Sequence, residues 1–358
     1  MKNICFLIGN INHSGGTERV TTLIANGLAE HNFKVSILNL FGGDEPFFEL
    51  NERINNHALF ARKISMRKNY LSTIWKIRKH VINNDIDTLI VVDSISCVFS
   101  VPALFGLKKI RHICWEHFNF NVNLGVKYRD IGRKWAAIFC DYVVTLTLRD
   151  KELWERNLKK INASIVAIAN PTPYENIEHI PRLEDKTILA MGRLTHQKGF
   201  DLLIDAWKDV CQKDGEWILR IVGSGEDEKY LKDKAQKLGI INRVDFISAT
   251  KNVEQYFRTA SFFCLSSRFE GFGMVILEAM CFSIPVVSFN CDCGPSDLIV
   301  NNETGILVDH LNVHELGEAL FKVMNSSQES YNYFSKKTLI KSKDFYLDKI
   351  VSNWLEIV

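Results

Sequence analysis

Short apolar runs alternate along this chain with stretches whose apolar side chains recur every three or four positions, and the rhythm occurs twice. In the first half, Ile4–Ile8, Val35–Leu40, Thr88–Val92, His112–Trp115, Asp141–Thr147 and Ile165–Ala169 predict strands. These runs are continuously apolar rather than alternating, which points to a parallel sheet covered by helices on both faces. After Gly9–Gly16, residues Val20, Leu23, Ile24, Gly27 and Leu28 repeat at helical spacing, with Thr17 as the expected cap. A polar, acidic loop follows around Gly42–Glu52. Two prolines in Asn170-Pro171-Thr172-Pro173, then a polar segment to Asp185 containing Pro181, read as a linker. The second alternation has strands at Thr187–Met191, Trp217–Val222, Val244–Ile247, Phe262–Leu265 and Val286–Phe289. Its helices are expected at Phe200–Cys211, Glu226–Leu238, Val253–Thr259, Met274–Cys281 and Val313–Asn325. Lys341–Val358 predicts one more helix. The expected organisation is therefore an N-terminal domain over 1–172, a C-terminal domain over 183–340, and a last helix, 341–358, packing back on the first. Doubly wound domains bind ligands at the carboxyl ends of their strands, here in a cleft between the two.

At 358 residues and 46% hydrophobic content, the chain can bury two cores of ordinary size. A formal charge of +2 carries no polyanion signature, so no nucleic-acid partner is expected. The halves differ. Residues 1–170 hold 23 basic and 15 acidic side chains, the remainder 21 and 27. The basic excess, concentrated between Arg62 and Lys134, suits anionic lipid headgroups, at about 1 kcal/mol per basic residue near the surface. A merely solvated basic face accounts for it equally well. Nine cysteines without secreted-scaffold spacing, and an opening apolar run too short for a signal peptide, lead us to expect reduced thiols and a cytoplasmic location. Cys291-Asp292-Cys293 has no second Cys or His pair at finger spacing, so no metal is expected there. Thr88–Leu107 is interrupted by Asp93 and Pro102, and no transmembrane helix is expected.

Four loops carry candidate chemistry. In Asn12-His13-Ser14-Gly15-Gly16-Thr17-Glu18-Arg19, paired glycines allow close backbone approach and the helix N-terminus offers free amides to a phosphate. The three-glycine dinucleotide spacing is missing, and a tight turn alone would explain the pair. Met191-Gly192-Arg193-Leu194-Thr195-His196-Gln197-Lys198-Gly199 puts a guanidinium and an ammonium on one loop at a strand end, suited to a diphosphate. In Ser266-Ser267-Arg268-Phe269-Glu270-Gly271-Phe272-Gly273-Met274-Val275-Ile276-Leu277-Glu278, two carboxylates bracket a glycine-rich turn into a helix. Amides of Phe272, Gly273 and Met274 would be free for an anion, while each carboxylate can accept two sugar hydroxyls. Gly223-Ser224-Gly225-Glu226 reads as a turn, with Glu228 where a dinucleotide fingerprint needs its third glycine.

Taken together, Gly15-Gly16, Gly192-Arg193 with Lys198, and the Glu270/Glu278 pair resemble the retaining glycosyltransferases of family 4, over nearly the whole chain and in the family's order. The resemblance implies the GT-B fold, an α/β architecture of two Rossmann-like doubly wound domains facing each other across a cleft. Val91–Cys97, Cys114-Trp115-Glu116-His117-Phe118 and Cys293-Gly294-Pro295-Ser296-Asp297 are similar to bacterial galactosyl- and glucosyltransferases of lipopolysaccharide, O-antigen and capsule assembly. Asp297 stands where many relatives have Glu. Carried over residue by residue, the resemblance assigns Arg193 and Lys198 to the donor diphosphate, which Gly15 and Gly16 also approach. It assigns Glu270 to hydroxyls of the transferred sugar, Glu278 to the ribose, and His117 to the reacting sugar. Gly271, Phe272, Gly273 and Met274 line the donor. A buried structural histidine is the competing reading of His117.

The implied activity moves galactose, glucose or an N-acetylated form from a UDP-sugar to a lipid-linked saccharide. An enzyme peripheral on the cytoplasmic face of the inner membrane fits that acceptor. No metal or other cofactor is expected, since the two cations supply positive charge and the leaving phosphate can take the acceptor proton. Asp85-Ile86-Asp87 has the spacing of a metal-binding pair in the other major glycosyltransferase fold, but stands at a helix-to-strand junction where acidic caps are common. A nucleotide-sugar epimerase, and a catalytically silent interaction subunit, are the alternatives.

Overall fold

A computed structural model describes all 358 residues, Met1–Val358. The chain divides into two compact units, Met1–Pro173 with Tyr346–Val358, and Tyr174–Phe345. The first unit runs β1 (Asn3–Ile8), α1 (Gly16–Glu30), β2 (Lys34–Asn39), β3 (Asn55–Ala58), α2 (Tyr70–Asn83), β4 (Thr88–Val92), α3 (Cys97–Leu104), β5 (Arg111–Trp115), α4 (Lys127–Phe139), β6 (Tyr142–Thr145), α5 (Leu148–Asn157) and β7 (Ser164–Ala167). Its seven strands are all parallel, in the order β3-β2-β1-β4-β5-β6-β7. Leu7, Leu89, Val91, Cys114 and Val143 line one face of the sheet and pack against Ile77, Cys97, Ala103 and Ala136 of the covering helices.

The second unit contains β8 (Thr187–Met191), α6 (Phe200–Lys213), β9 (Ile218–Val222), α7 (Glu228–Lys237), β10 (Val244–Ile247), α8 (Glu254–Phe257), β11 (Phe262–Leu265), α9 (Met274–Cys281), β12 (Val286–Phe289), α10 (Pro295–Leu298), β13 (Gly305–Val308), α11 (Val313–Met324) and α12 (Gln328–Ser342). Its six parallel strands follow the order β10-β9-β8-β11-β12-β13. Both sheets are doubly wound, with order reversing at β1/β4 in one and β8/β11 in the other. Loops leaving such neighbouring strands diverge, and ligands bind in the crevice they leave.

Three departures from the sequence pattern have local causes. The cap of α1 is Gly15, without a side-chain bond, so Thr17 lies inside the first turn rather than before it. β3 has the unpromising sequence Asn-Asn-His-Ala; pairing with β2 and the bonds of Asn39 Nδ2 to Asn56 Oδ1 (2.7 Å) and the His57 carbonyl (2.9 Å) hold this edge strand. The stretch 341–358 is not one helix: α12 ends at Ser342, a short 3-10 turn covers Lys343–Phe345, and extended Tyr346 precedes α13 (Leu347–Leu355). α13 packs on α1 of the first unit, where Gly27 leaves room for Val351. Trp354 meets Trp115 edge-on at 4.8 Å, and Arg111 donates to the carbonyls of Ile357 and Val358. No helix is long and apolar enough to cross a membrane.

Candidate active site

The loop leaving β8 and the loop leaving β11 are fastened to each other at the switch point of the second unit. Arg268 N donates to the Gln197 carbonyl (2.8 Å), and Ser266 Oγ to the Lys198 carbonyl (3.0 Å). Arg268 grips Asp201 through two 2.7 Å bonds and donates to the His196 carbonyl. That bidentate geometry fixes the loop direction as well as its position. Gly199 makes the approach possible: its φ is +63°, and a Cβ there would run into the Ser266 carbonyl oxygen. The glycines of the 223–225 turn serve the same loop, since side chains on Gly223 or Gly225 would strike the carbonyls of Gly192 and Leu194. That turn supports the Arg193 loop from behind, with Leu194 N donating to the Ser224 carbonyl.

The result is a compact pair. Lys198 Nζ lies 2.6 Å from Glu270 Oε1, which also accepts from Ser267 Oγ at 2.7 Å. Glu270 is only 6% exposed, so these two donors offset the cost of burying its charge. Its Oε2 atom makes no bond within the chain and can accept a ligand hydroxyl. Arg193, two residues past β8, is exposed and has no acidic partner. A free guanidinium on the same loop as an ammonium that is already neutralised is available to meet an anion.

Glu270 is followed by Gly271 and Phe272, then Gly273 at φ +88° opens α9, with Met274 as its first residue. The first amides of a helix have no intrahelical carbonyl to meet, so this turn presents donors to an anion. Glu278, 8% exposed, lies on α9 one turn past its start and is a buried carboxylate rather than a solvated one. Cys291, beyond β12, sits by the pair: burial and the nearby Glu270 charge push its thiol up to about 12, so it stays neutral. Cys291 and Cys293 join no cluster of metal-ligating side chains. Asp297 Oδ2 accepts from Gly294 N and so caps α10.

Gly15, Gly16 and His117 belong to the first unit. Gly16 begins α1, where Glu18 turns its carboxylate toward Gly15, beside amides a phosphate would use. His117 follows β5, and its ring packs at a tilt against Trp115, centroids 4.5 Å apart. Burial, with the Arg129 charge adding, pulls His117 down to about 3, so the ring is neutral at physiological pH. Its Nε2 atom is buried without a partner.

The segment carrying His117 is held by a buried ion cluster that motif reading missed. Glu116 Oε2 accepts from Ser94 Oγ (2.6 Å) and Arg133 Nε (3.0 Å), while Oε1 accepts from the amides of His117 and Phe118. Arg133 donates onward to the carbonyls of Asn119, Phe120 and Val122. Arg129 pairs with Asp93 at 2.9 Å and lies 4.0 Å over the Phe118 ring. Arg129 and Arg133 are 6% and 1% exposed, so part of the basic excess of this half is interior. The four-residue spacing of Arg129 and Arg133 on a helix, with Glu116 upstream, was the available signal.

The model described as Glycosyltransferase Family 4 matches residues 14–175, and that described as Glycosyl transferases group 1 matches 175–339. An uncharacterized glycosyltransferase of Haemophilus influenzae is 40% identical over the full length of both chains. A solved structure of the lipopolysaccharide outer core galactosyltransferase WaaB, 22% identical, superposes with a TM-score of 0.81 over 99% of this chain and 98% of that one. The Anabaena protein HepE in complex with UDP and glucose, 18% identical, has a TM-score of 0.81 over 98% of each chain.

Proposed function

This chain belongs to the family 4 glycosyltransferases and has their GT-B fold, and from that premise we propose that it transfers a hexose from a UDP-sugar to a lipid-linked saccharide. The hexose is galactose, glucose or an N-acetylated form, and the product enters bacterial lipopolysaccharide, O-antigen or capsule. The observation that carries this reading is the Lys198–Glu270 pair at the β8/β11 switch point, with unpartnered Arg193 on the same loop. The UDP and glucose of the HepE complex, and the lipopolysaccharide named for WaaB, support the donor and acceptor classes.

Charge logic sets the roles. As the bond to the leaving diphosphate breaks, negative charge grows on phosphate and positive charge on the sugar ring. Arg193, Lys198 and the amides of Phe272, Gly273 and Met274 stabilise the first, and such preorganised donors are commonly the largest catalytic contribution. Donor phosphate competes with Glu270 for Lys198, freeing Glu270 to accept sugar hydroxyls, while Glu278 takes the ribose. In the first unit, the neutral His117 ring and the Gly15-Gly16 start of α1 are the candidates for sugar and phosphate contacts. The leaving phosphate itself takes the acceptor proton, with retention of configuration. With two cations on hand, the transfer needs no metal.

The location we propose is the cytoplasmic face of the inner membrane, without insertion. Leu71, Trp75, Phe105 and Phe139 are exposed on the first unit, alongside exposed Lys79, Lys108, Lys109 and Lys134. Phe105 and Phe139 flank a largely apolar cleft of about 610 Å³. The test is a panel of nucleotide sugars against lipid-linked acceptors, read by mass spectrometry. A hexose mass added to the acceptor is expected; conversion of the donor alone to an epimer would contradict the reading.

A further inference from the structure

Inside the first unit, the ligating atoms of Cys97, His112 and Cys140 all lie within 4.8 Å of one another. All three residues are buried, and they come from three elements: the first residue of α3, the strand β5, and the residue that ends α4. Cys140 Sγ is 3.5 Å from His112 Nδ1. Zinc bonds of about 2.3 Å to sulfur and 2.0–2.1 Å to nitrogen, at a tetrahedral angle, set those atoms about 3.5 Å apart. The other ring nitrogen, Nε2, is 3.0 Å from the buried hydroxyl of Ser100. A proton on Nε2 leaves the Nδ1 lone pair facing the thiol, the arrangement by which ligating histidines are oriented. The His112 amide is itself held by Asp141 Oδ2 at 2.7 Å. Cys114, on the same face of β5 two residues on, stands outside this group but neighbours Cys97.

We propose that Cys97, His112 and Cys140 bind a structural zinc ion, which draws in the neighbouring Cys114 thiol as its fourth ligand. Soft thiolates with one imidazole in a closed, buried setting select zinc over the hard divalent cations. On binding, each coordinating thiol releases its proton to solvent and the imidazole coordinates as the neutral base; nothing is oxidised or reduced. The ion ties the start of α3 and the end of α4 to the sheet beneath them. α4 also carries Arg129 and Arg133, so the site fixes the helix that holds the His117 segment. Long, irregular spacing hides the set from finger patterns. A structural ion here is separate from the donor site, where the chemistry needs none.

The experiment begins with elemental analysis of untagged protein purified without added metal or chelator. About one zinc per chain is expected. Cys97→Ser and Cys140→Ser should reduce it to background, and Cys211→Ser, in the second unit, should leave it unchanged. Because the first two variants can fail to fold, chelated wild-type protein is also loaded with cobalt(II). Folded protein should then show thiolate-to-cobalt charge transfer and tetrahedral visible bands, both erased by zinc. Wild type with neither zinc nor a cobalt spectrum would overturn the proposal. So would a Cys97–Cys140 disulfide found by mass spectrometry, or full zinc content in folded Cys97→Ser.

Discussion

At the scale of single residues, each donor-site side chain has a definable cost of removal. The Arg193 side chain makes no bond within the chain, so Arg193→Ala should leave the thermal midpoint unchanged while transfer falls by about 10²–10³-fold, the loss typical of one charge-stabilising donor. Glu270→Gln should cost transfer similarly, because a neutral amide neither balances Lys198 nor accepts two hydroxyls. Circular dichroism melts beside transfer rates check both, and near-wild-type turnover in either variant contradicts the assignment. Asp150 offers a separate pH test. Burial and then the Glu116 carboxylate push it up to about 7, against an ordinary value of 3.8. Between those values the folded chain keeps a proton that the unfolded chain has lost, so the Asp150 contribution to stability falls as pH rises, and levels off above about 7. Asn mimics the protonated form. Asp150→Asn should therefore match wild type near pH 4 and become progressively the more stable protein toward pH 8. Denaturant midpoints at a series of pH values read this directly, and a pH-independent difference would contradict it.

At the scale of elements, continuous apolar runs identified most strands with little error, although the short Gly305–Val308 run of β13 was passed over. Thr88–Val92, Thr187–Met191, Val244–Ile247, Phe262–Leu265 and Val286–Phe289 are the strands observed. Elements whose order comes from tertiary pairing left no such trace. β3 is polar and held by its neighbour, and α12 buries Tyr331, Thr338 and Ser342, too polar a set to form an apolar stripe. The same division applies to the site. Glu270, Gly273 and Glu278 lie in one short segment and were legible together. The Arg268–Asp201 clamp, the Glu116 cluster and the Cys97, His112 and Cys140 grouping depend on contacts distant in sequence and were not. Gly199 links the two classes, being visible in a motif yet essential for a long-range reason. Gly199→Ala should destabilise by about 1–3 kcal/mol through the left-handed backbone and the lost approach to Ser266. A lower urea midpoint with unchanged slope, together with loss of transfer, is the expected result. An unaltered midpoint would mean that the two loops are not braced there.

At the scale of the whole molecule, two claims reach beyond the fold. The first is that the basic, apolar face of the first unit meets anionic lipid. Cosedimentation with vesicles rich in anionic lipid should be strong at low salt and fall as ionic strength rises. Replacing Lys108 and Lys109 with Glu should weaken it, and absence of binding at every salt concentration would remove the idea. The second and central claim is that one nucleotide-linked sugar is held by the cation and carboxylate loops of the second unit. Calorimetric titration of UDP into wild type and into the Arg193→Ala/Lys198→Ala double variant tests it most directly. Saturable binding by wild type and none detectable by a folded double variant is the result the account predicts; equal affinity in the two proteins would contradict it.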